Sequence, residues 1–147
     1  MKTPRTRALH LIDLENLCGC ATCTSSMAAD IHTKYMQKVP TSPYDHYVLA
    51  TSHHNALATT AWPGGYRVVR SGKDGADIAL YEHVMNLDPA SRYTDIVLAS
   101  GDHFFIPAAK AWKEAGLRVT VVVAKGCVSH NLRTVADRFV PLSFSLG

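Results

Sequence analysis

The chain has 147 residues, of which 47% are hydrophobic and 18% are charged, and its formal net charge is +3. This length and composition suit one domain over residues 1–147, and they exclude both a disordered chain and a protein that coats nucleic acid through bulk positive charge. No apolar run approaches the about 18 residues of a membrane span, and Asp13 interrupts the first one too early for a secretory signal, so we expect a soluble, cytoplasmic protein without a membrane partner.

Short apolar runs alternate with segments of helical spacing along the chain. The predicted strands are 8–13, 46–52, 66–71, 95–100, 118–124 and a final edge strand at 139–144. The predicted helices are 27–38, 55–62, 76–86, 104–116 and 132–139. The continuous apolar stretches of the fourth and fifth strands are typical of strands that are buried on both faces. This alternation predicts an α/β fold with a doubly wound, mainly parallel sheet and helices on both faces.

Capping residues mark the ends of two predicted helices. Ser25 and Ser26 are candidate caps at the start of the first long helix. Pro107 lies in the first turn of the helix after the fourth strand, and Gly116 lies at its end. Both positions are typical of those residue types, so this helix has the clearest predicted boundaries.

Three aspartates fall where a doubly wound sheet binds its ligands. Asp13 ends the first predicted strand, Asp102 lies just beyond the fourth, and Asp77 starts the helix that precedes the fourth. Ligands bind at the carboxyl ends of such strands, at the point where the strand order reverses. If the first and fourth strands are neighbours there, the three carboxylates converge. Such a cluster repels itself unless it binds a cation.

An all-oxygen ligand set favours Mg²⁺ or Mn²⁺, so the sequence predicts a carboxylate metal site. Each aspartate also has a purely structural interpretation. Asp13 could simply end a strand, Asp102 could cap the following helix, and Asp77 could complement a helix dipole. The basic residues are spread over other parts of the chain, around these three aspartates. That distribution suits a metal ion with a phosphate-bearing ligand, or it is scattered solvated charge.

Three of the four cysteines, Cys18, Cys20 and Cys23, form a C-x-C-x-x-C cluster. A zinc site would need a fourth ligand, such as Cys127 or a histidine, and the spacing is not that of paired CxxC knuckles. We therefore expect reduced cysteines in a loop or at a helix start, and no bound zinc. A disulfide is not expected inside a cell.

Four segments match the motifs of a known family in order: LIDLENL, GKDGADIAL, the stretch VLASGDHFFIPAAKAWKEAGLRVTVV, and SHNLRTVADRFVPL. They resemble the NYN domain, the LabA-like branch of PIN-type nucleases. That family typically shows D-x-E-N at the first strand, K-G-x-D at a helix start and S-G-D-x-D-F in a loop. The resemblance implies a three-layer α/β/α, PIN-like fold and metal-dependent RNA cleavage.

The resemblance also implies roles for individual residues. The catalytic acids, which would hold Mg²⁺ or Mn²⁺, are Asp13, Asp77 and Asp102. The motifs add three supporting residues, which are Asn16, Ser100 and Glu15. Four basic residues are candidates for steering the RNA backbone: Arg7, Lys73, Arg133 and Arg138. The RNA could be single-stranded or structured, and the sequence leaves open a homodimer or a protein partner.

One position departs from the family pattern, because the second acid of S-G-D-x-D-F is replaced here by Phe104. Asp74 and His103 are candidates to compensate for the missing acid. The leading hypothesis is an endoribonuclease, and the alternative is a catalytically degenerate module that binds RNA or protein without cutting. A phosphatase with a nucleophilic aspartate is weaker, since LIDLENL lacks the D-x-D-x-[TV] pattern. The chain has no G-x-G-x-x-G or Walker loop for a nucleotide cofactor.

Overall fold

The computed structural model describes residues 6–19, 23–62, 64–69, 75–124 and 130–142, without the side chains of 53, 54, 57, 61, 75–77 and 79. Its strands are β1 Ala8–Asp13, β2 His46–Thr51, β3 Tyr66–Val69, β4 Asp95–Ala99, β5 Arg118–Ala124 and β6 Arg138–Leu142. Its α-helices are α1 Leu14–Cys18, α2 Ser25–Lys38, α3 Gly75–Leu87, α4 Pro89–Arg92, α5 Ile106–Glu114 and α6 His130–Val135. Two 3-10 helices span His53–Ala61 and His103–Phe105. None of the described helices has both the length and the apolar content required to cross a bilayer.

The strands form one sheet in the order β3-β2-β1-β4-β5-β6, and every neighbouring pair is parallel. The predicted doubly wound sheet is therefore confirmed. β1 and β4 are neighbours, as the metal-site argument required, and Ile12 pairs with Ala99. The strand order reverses between these two strands, so the crevice at their carboxyl ends is the expected ligand position.

Helices cover both faces of the sheet, which makes the fold a three-layer α/β/α sandwich. β1 is buried along its whole length, and its side chains point alternately to the two faces of the sheet. Leu9 and Leu11 pack on one side with residues of α3, α5 and α6. Ala8 and Ile12 pack on the other side with residues of α1 and α2. The sandwich therefore has two apolar cores, and the site lies where the strands between them end.

Helix ends agree with the predictions in part. Pro107 lies in the first turn of α5, and Gly116 follows the end of α5 with a φ of 95°. The cap of α2 is Thr24, whose side chain accepts a hydrogen bond from the Met27 N–H at 3.1 Å, rather than the two serines that follow it. The short helices α1 and α4 were not predicted, because five- and four-residue segments carry too little periodic signal.

The predicted helix 132–139 is in fact the end of α6 and the start of β6. Asp137 lies between them and binds the backbone of β5. Its N–H donates to the Val119 carbonyl at 2.8 Å, and its carboxylate accepts from the Val119 N–H at 2.9 Å. These two bonds end the helix and align the chain as an edge strand. This long-range contact is invisible in the local sequence pattern.

A buried polar chain lies near the amino ends of β1 and β2. His10 is fully buried, and its Nε2 is 2.8 Å from an Asp45 carboxylate oxygen, while its Nδ1 shares a hydrogen bond with the Tyr35 hydroxyl. Asp45 also accepts hydrogen bonds from Ala8 and Ser42. Burial raises the pKa of Asp45, but the hydrogen bonds from these groups outweigh it and leave the pKa below its ordinary value. Both carboxylate oxygens of Asp45 therefore accept hydrogen bonds within the fold, and its role is structural.

Gly65 and Gly64 offer a matched test of the packing of β2. Both have a positive φ, but a Cβ on Gly65 would lie 2.9 Å from Leu49 Cδ1 and 3.1 Å from the Tyr47 carbonyl oxygen, whereas one on Gly64 meets nothing within 4 Å. We expect Gly65→Ala to lower the free energy of unfolding by about 2–4 kcal/mol through strain and overpacking. Gly64→Ala should cost only about 1–2 kcal/mol, from its φ alone. Urea denaturation measures both, and equal losses would contradict the close approach of Gly65 to β2.

Candidate functional site

A buried hydroxyl group joins the ends of β1 and β4. Asp13, the last residue of β1, is 5% exposed. Its Oδ2 accepts a hydrogen bond from Ser100 Oγ at 3.3 Å, and Ser100 Oγ in turn accepts one from the Asp102 N–H at 3.3 Å. Ser100 itself has no exposed surface. The segments that carry the two aspartates are therefore connected through one side chain.

Asp102 combines a structural role with an accessible oxygen. Its Oδ1 accepts from the Phe104 N–H at 2.9 Å and so caps the 3-10 helix that follows. The exposed His103 has its Nδ1 3.4 Å from the same oxygen. The Asp102 side chain is 26% exposed, and its Oδ2 has no hydrogen-bond partner among the described residues. Asp102 thus caps a helix, as its structural interpretation held, and still offers a carboxylate oxygen to a ligand.

Helix α1 is held to strand ends on both sides of β1. Asp13 caps it, with Oδ1 accepting from the Asn16 N–H at 3.3 Å. The Asn16 side-chain oxygen accepts from the Gly101 N–H at 2.9 Å, in the loop after β4. Glu15 Oε1 accepts from Thr51 Oγ1 at 3.1 Å, at the end of β2.

The N–H of Ser52 also donates to Glu15 Oε1. Thr51 and Ser52 were not among the predicted site residues. Their only signal was that they are polar residues at the carboxyl end of an apolar strand, at the same edge as Asp13. Glu15 therefore aligns α1 with the end of β2 through one carboxylate oxygen, and its role is one of positioning.

Asp77 is the third residue of α3, which starts at the carboxyl edge of the sheet after β3 and packs on β2 and β1. Its side chain, with Asp74 and Lys73, lies outside the described part of the structure. Within the described residues, no three His, Cys, Asp or Glu side chains are grouped closely enough to hold a metal ion. The atoms in the described part of the site that could bind a metal ion are the carboxylate oxygens of Asp13 and Asp102 and the hydroxyl oxygen of Ser100. Such a set suits a hard divalent cation.

Comparisons with known proteins identify the family of the chain. The family model for the NYN domain matches residues 12–143. The chain belongs to the NYN domain family. NYN domains are part of the PIN-like nuclease superfamily, so the family suggests a nuclease. The family prediction is thereby confirmed, whereas the LabA-like subtype stays a prediction.

A solved structure shows the same fold. It is a protein of unknown function from Vibrio parahaemolyticus, with a TM-score of 0.63, 15% sequence identity and coverage of 96% of each chain. At this level of sequence identity, the similarity supports the fold and nothing about function. No curated protein sequence matches the chain. Function must therefore be argued from the site of this NYN domain and from its family.

Phe104 occupies the position at which the family pattern has its second acid. Its ring is partly buried against the core and makes edge contacts with Phe105 and Tyr81, with ring centroids 5.3 and 6.4 Å apart. It therefore joins the loop after β4 to α3 through apolar packing. His103, one residue earlier, has a side chain that is 85% exposed.

Two of the candidate RNA-steering residues, Arg7 and Arg138, lie far from Asp13, and Lys73 lies outside the described residues. Arg7 precedes β1 and Arg138 begins β6, so both lie at the amino ends of the parallel strands. Asp13 lies at the other end, about 15–20 Å away at the rise of a strand. Arg133 is on α6, with its guanidinium 4.7 Å from the centre of the Phe139 ring. Any RNA path that uses Arg7 or Arg138 must therefore run beyond the acidic crevice.

The expectation of reduced cysteines is wrong for two of the four. Cys18 and Cys23 form a disulfide, with their Cα atoms 5.9 Å apart. Cys18 ends α1, and the following Gly19 has a φ of 74°, which turns the chain sharply after the helix. Cys23 is fixed by its N–H, which donates to the Asn55 side chain at 2.9 Å. A disulfide sulfur is not the thiolate that zinc requires. Cys20 and Cys127 lie outside the described residues.

Asn16 allows a test of how α1 is attached to the loop after β4. Asn16→Ala removes the acceptor of the Gly101 N–H, and we expect the free energy of unfolding to fall by about 1–2 kcal/mol. The control is Asn131→Ala, which alters an exposed asparagine on α6 and should cost less than about 0.5 kcal/mol. Urea denaturation compares the two. A loss for Asn131→Ala as large as that for Asn16→Ala would mean that the Asn16 contact contributes nothing specific.

Proposed function

We propose that this NYN domain is an endoribonuclease that depends on Mg²⁺ or Mn²⁺, with Asp13, Asp77 and Asp102 as catalytic acids and metal ligands. The observation that carries the proposal is the hydrogen-bonded link from Asp13 through Ser100 to Asp102. It lies at the strand-order reversal, where sheets of this kind bind ligands. Family membership supports a nuclease independently of this geometry.

The arrangement of charges explains why a cation is needed. Two carboxylates at one crevice repel the phosphates of RNA. These acids therefore oppose the binding of RNA unless a positive charge lies between them and the RNA backbone. When bound, Mg²⁺ or Mn²⁺ supplies that charge at the scissile phosphate and lowers the pKa of water. Asp102, with a side chain that is 26% exposed, is closer to solvent than Asp13. Asp13 is buried and held in place by Ser100 and α1.

The supporting residues act on the position of the acids. Ser100 donates to Asp13 and accepts from the Asp102 backbone, so it fixes the relative placement of both. Asn16 and Glu15 hold α1 against the loop after β4 and the end of β2. These bonds keep the acids pre-organised, which is the contribution a protein makes to a metal-assisted reaction. Asp74 and His103 remain candidates for replacing the acid that the family has at Phe104.

The second candidate function is a degenerate module that binds RNA or a protein without cutting. The observation in its favour is Phe104, which takes the place of an acid and packs between Phe105 and Tyr81. An aromatic ring supplies no ligand to a cation. The enzyme and the binder therefore differ in whether Asp13, Asp77 and Asp102 suffice for cleavage without the acid that the family has at position 104.

Asp102→Asn tests the enzyme directly, because it keeps the shape and the cap but removes one negative charge. We expect the wild-type protein to cut single-stranded RNA with Mn²⁺ or Mg²⁺ and not with EDTA. The substitution should lower the cleavage rate by a factor on the order of 10² or more, as the loss of a metal ligand would. Its affinity for RNA should fall little, or rise, because repulsion of phosphate is relieved.

The control is Asp30→Asn, which removes the same charge from the exposed face of α2 and should leave the rate unchanged. Gel assays of labelled RNA measure cleavage, and fluorescence anisotropy measures affinity. If Asp30→Asn and Asp102→Asn cut at the same rate as wild type, Asp102 is not a catalytic acid.

Phe104→Asp restores the acid of the family motif and separates the two candidate functions. In the enzyme, the wild-type chain already cuts RNA, and the substitution changes the rate within about tenfold. The substitution also removes an aromatic contact, so we expect a loss of about 1–3 kcal/mol in the free energy of unfolding. An inert wild type together with a cleaving Phe104→Asp would identify a degenerate nuclease and refute the proposal for this chain.

A further inference from the structure

A groove lies at the amino ends of the strands, on the edge of the sheet opposite to the acids. It consists of two cavities of about 640 and 620 Å³ that share lining residues, among them His46, Arg92 and Tyr93. One extends to Arg7 and the other to Tyr66 and His83. We call it the amino-edge groove and define it by these six residues. None of them is one of the acids or supporting residues of the candidate active site, although Arg7 was a candidate for steering RNA.

One half of the groove is positively charged. Arg7 Nη2 is 2.9 Å from His46 Nε2, and the Arg7 guanidinium is 5.1 Å from the centre of the Tyr93 ring. The Arg92 guanidinium is 5.9 Å from the centre of the same ring. Burial lowers the pKa of His46, and the charges of Arg7 and Arg92 lower it further. The positive charges of Arg7 and Arg92 therefore lie close to each other, beside Tyr93 and His46.

Neither arginine of the groove is paired with a carboxylate of the described residues. Among the described residues, neither Arg7 nor Arg92 forms an ion pair with an acid. Asp45 is the one acid among the described lining residues, and its side chain is 2% exposed. Its oxygens already accept hydrogen bonds from Ala8, Ser42 and His10. The groove therefore offers unneutralised positive charge to a ligand.

The other half of the groove is aromatic. Tyr66, the first residue of β3, stacks on His83 of α3 with ring centroids 4.5 Å apart and an angle of 11° between the ring planes. Tyr66 is nevertheless 60% exposed. A tyrosine ring that is fixed by stacking and remains accessible can accept a nucleobase at a low cost in side-chain entropy.

We propose that the amino-edge groove binds a nucleotide unit, with its phosphate at Arg7 and Arg92 and its base against Tyr66. Planar guanidinium groups match the oxygens of a phosphate, and every base has a face that can stack on an aromatic ring. The unit is either a free nucleotide or part of a single-stranded RNA. Binding here needs no metal ion and is independent of whether the acidic crevice cuts RNA.

Fluorescence anisotropy of a labelled oligouridylate, with the full chain in EDTA so that no cleavage occurs, measures this binding. We expect Arg92→Gln and Tyr66→Ala each to weaken affinity about fivefold or more, and Tyr66→Phe to keep it within about twofold. Lys110→Gln is the matched control, since it removes one positive charge from the exposed surface of α5. It should weaken affinity less than about twofold. Arg7 is left intact because it also donates to the Tyr44 carbonyl.

Competition by uridine monophosphate distinguishes the two sources. Displacement of the oligouridylate, with the same dependence on Arg92 and Tyr66, assigns the groove to a free nucleotide, and failure to displace it assigns the groove to an RNA strand. Binding in EDTA and cleavage with Mn²⁺ or Mg²⁺ are measured in separate assays, so a failed nuclease and a failed groove give different results. The proposal is overturned if the oligouridylate does not bind, if Tyr66→Ala binds as wild type does, or if Lys110→Gln weakens binding as much as Arg92→Gln.

Discussion

Backbone hydrogen bonds between β1 and β4 determine where the polar residues of the site lie. They pair Ile12 with Ala99, so Asp13 at the end of β1 and Ser100 directly after β4 lie side by side at the same edge of the sheet. Ser100 then reaches Asp13 on one side and the Asp102 backbone on the other. A register shifted by one residue would turn Ser100 to the opposite face and break this link. The sheet therefore fixes the site before any side chain contributes.

Much of the fold follows from local patterns in the sequence, because buried parallel strands are continuous apolar runs and their order is limited by right-handed crossovers. Asp13 and Asp102 could be assigned to one edge on that basis alone. Contacts between distant segments could not be predicted in this way. The bond of Glu15 to the end of β2, the end of α6 at Asp137 and the disulfide at Cys18 depend on three-dimensional proximity, which residue spacing does not encode.

The two edges of the sheet differ in chemistry. The carboxyl edge carries buried or partly buried acids joined by a serine, and it suits a cation. The amino edge carries arginines beside Tyr93 and the stacked rings of Tyr66 and His83. It suits a nucleotide that binds without a metal ion. Parallel strands make this separation possible, since all of their amino ends lie on one edge and all of their carboxyl ends on the other. An RNA strand long enough to reach both edges could contact this small domain twice.

Helix α1 has five residues, which is too short for a helix to be stable alone in water. It persists because Asp13 caps it, Asn16 and Glu15 bind neighbouring segments, and a disulfide at Cys18 joins its last residue to Cys23. The connection between a first strand and a first long helix is ordinarily a place where chains tolerate insertions and deletions. Here Asp13, Glu15 and Asn16 are hydrogen-bonded to the ends of neighbouring strands or the loop after β4, and Cys18 is bonded to Cys23. Changes of length between Asp13 and Cys18 would therefore displace a carboxylate rather than lengthen a loop.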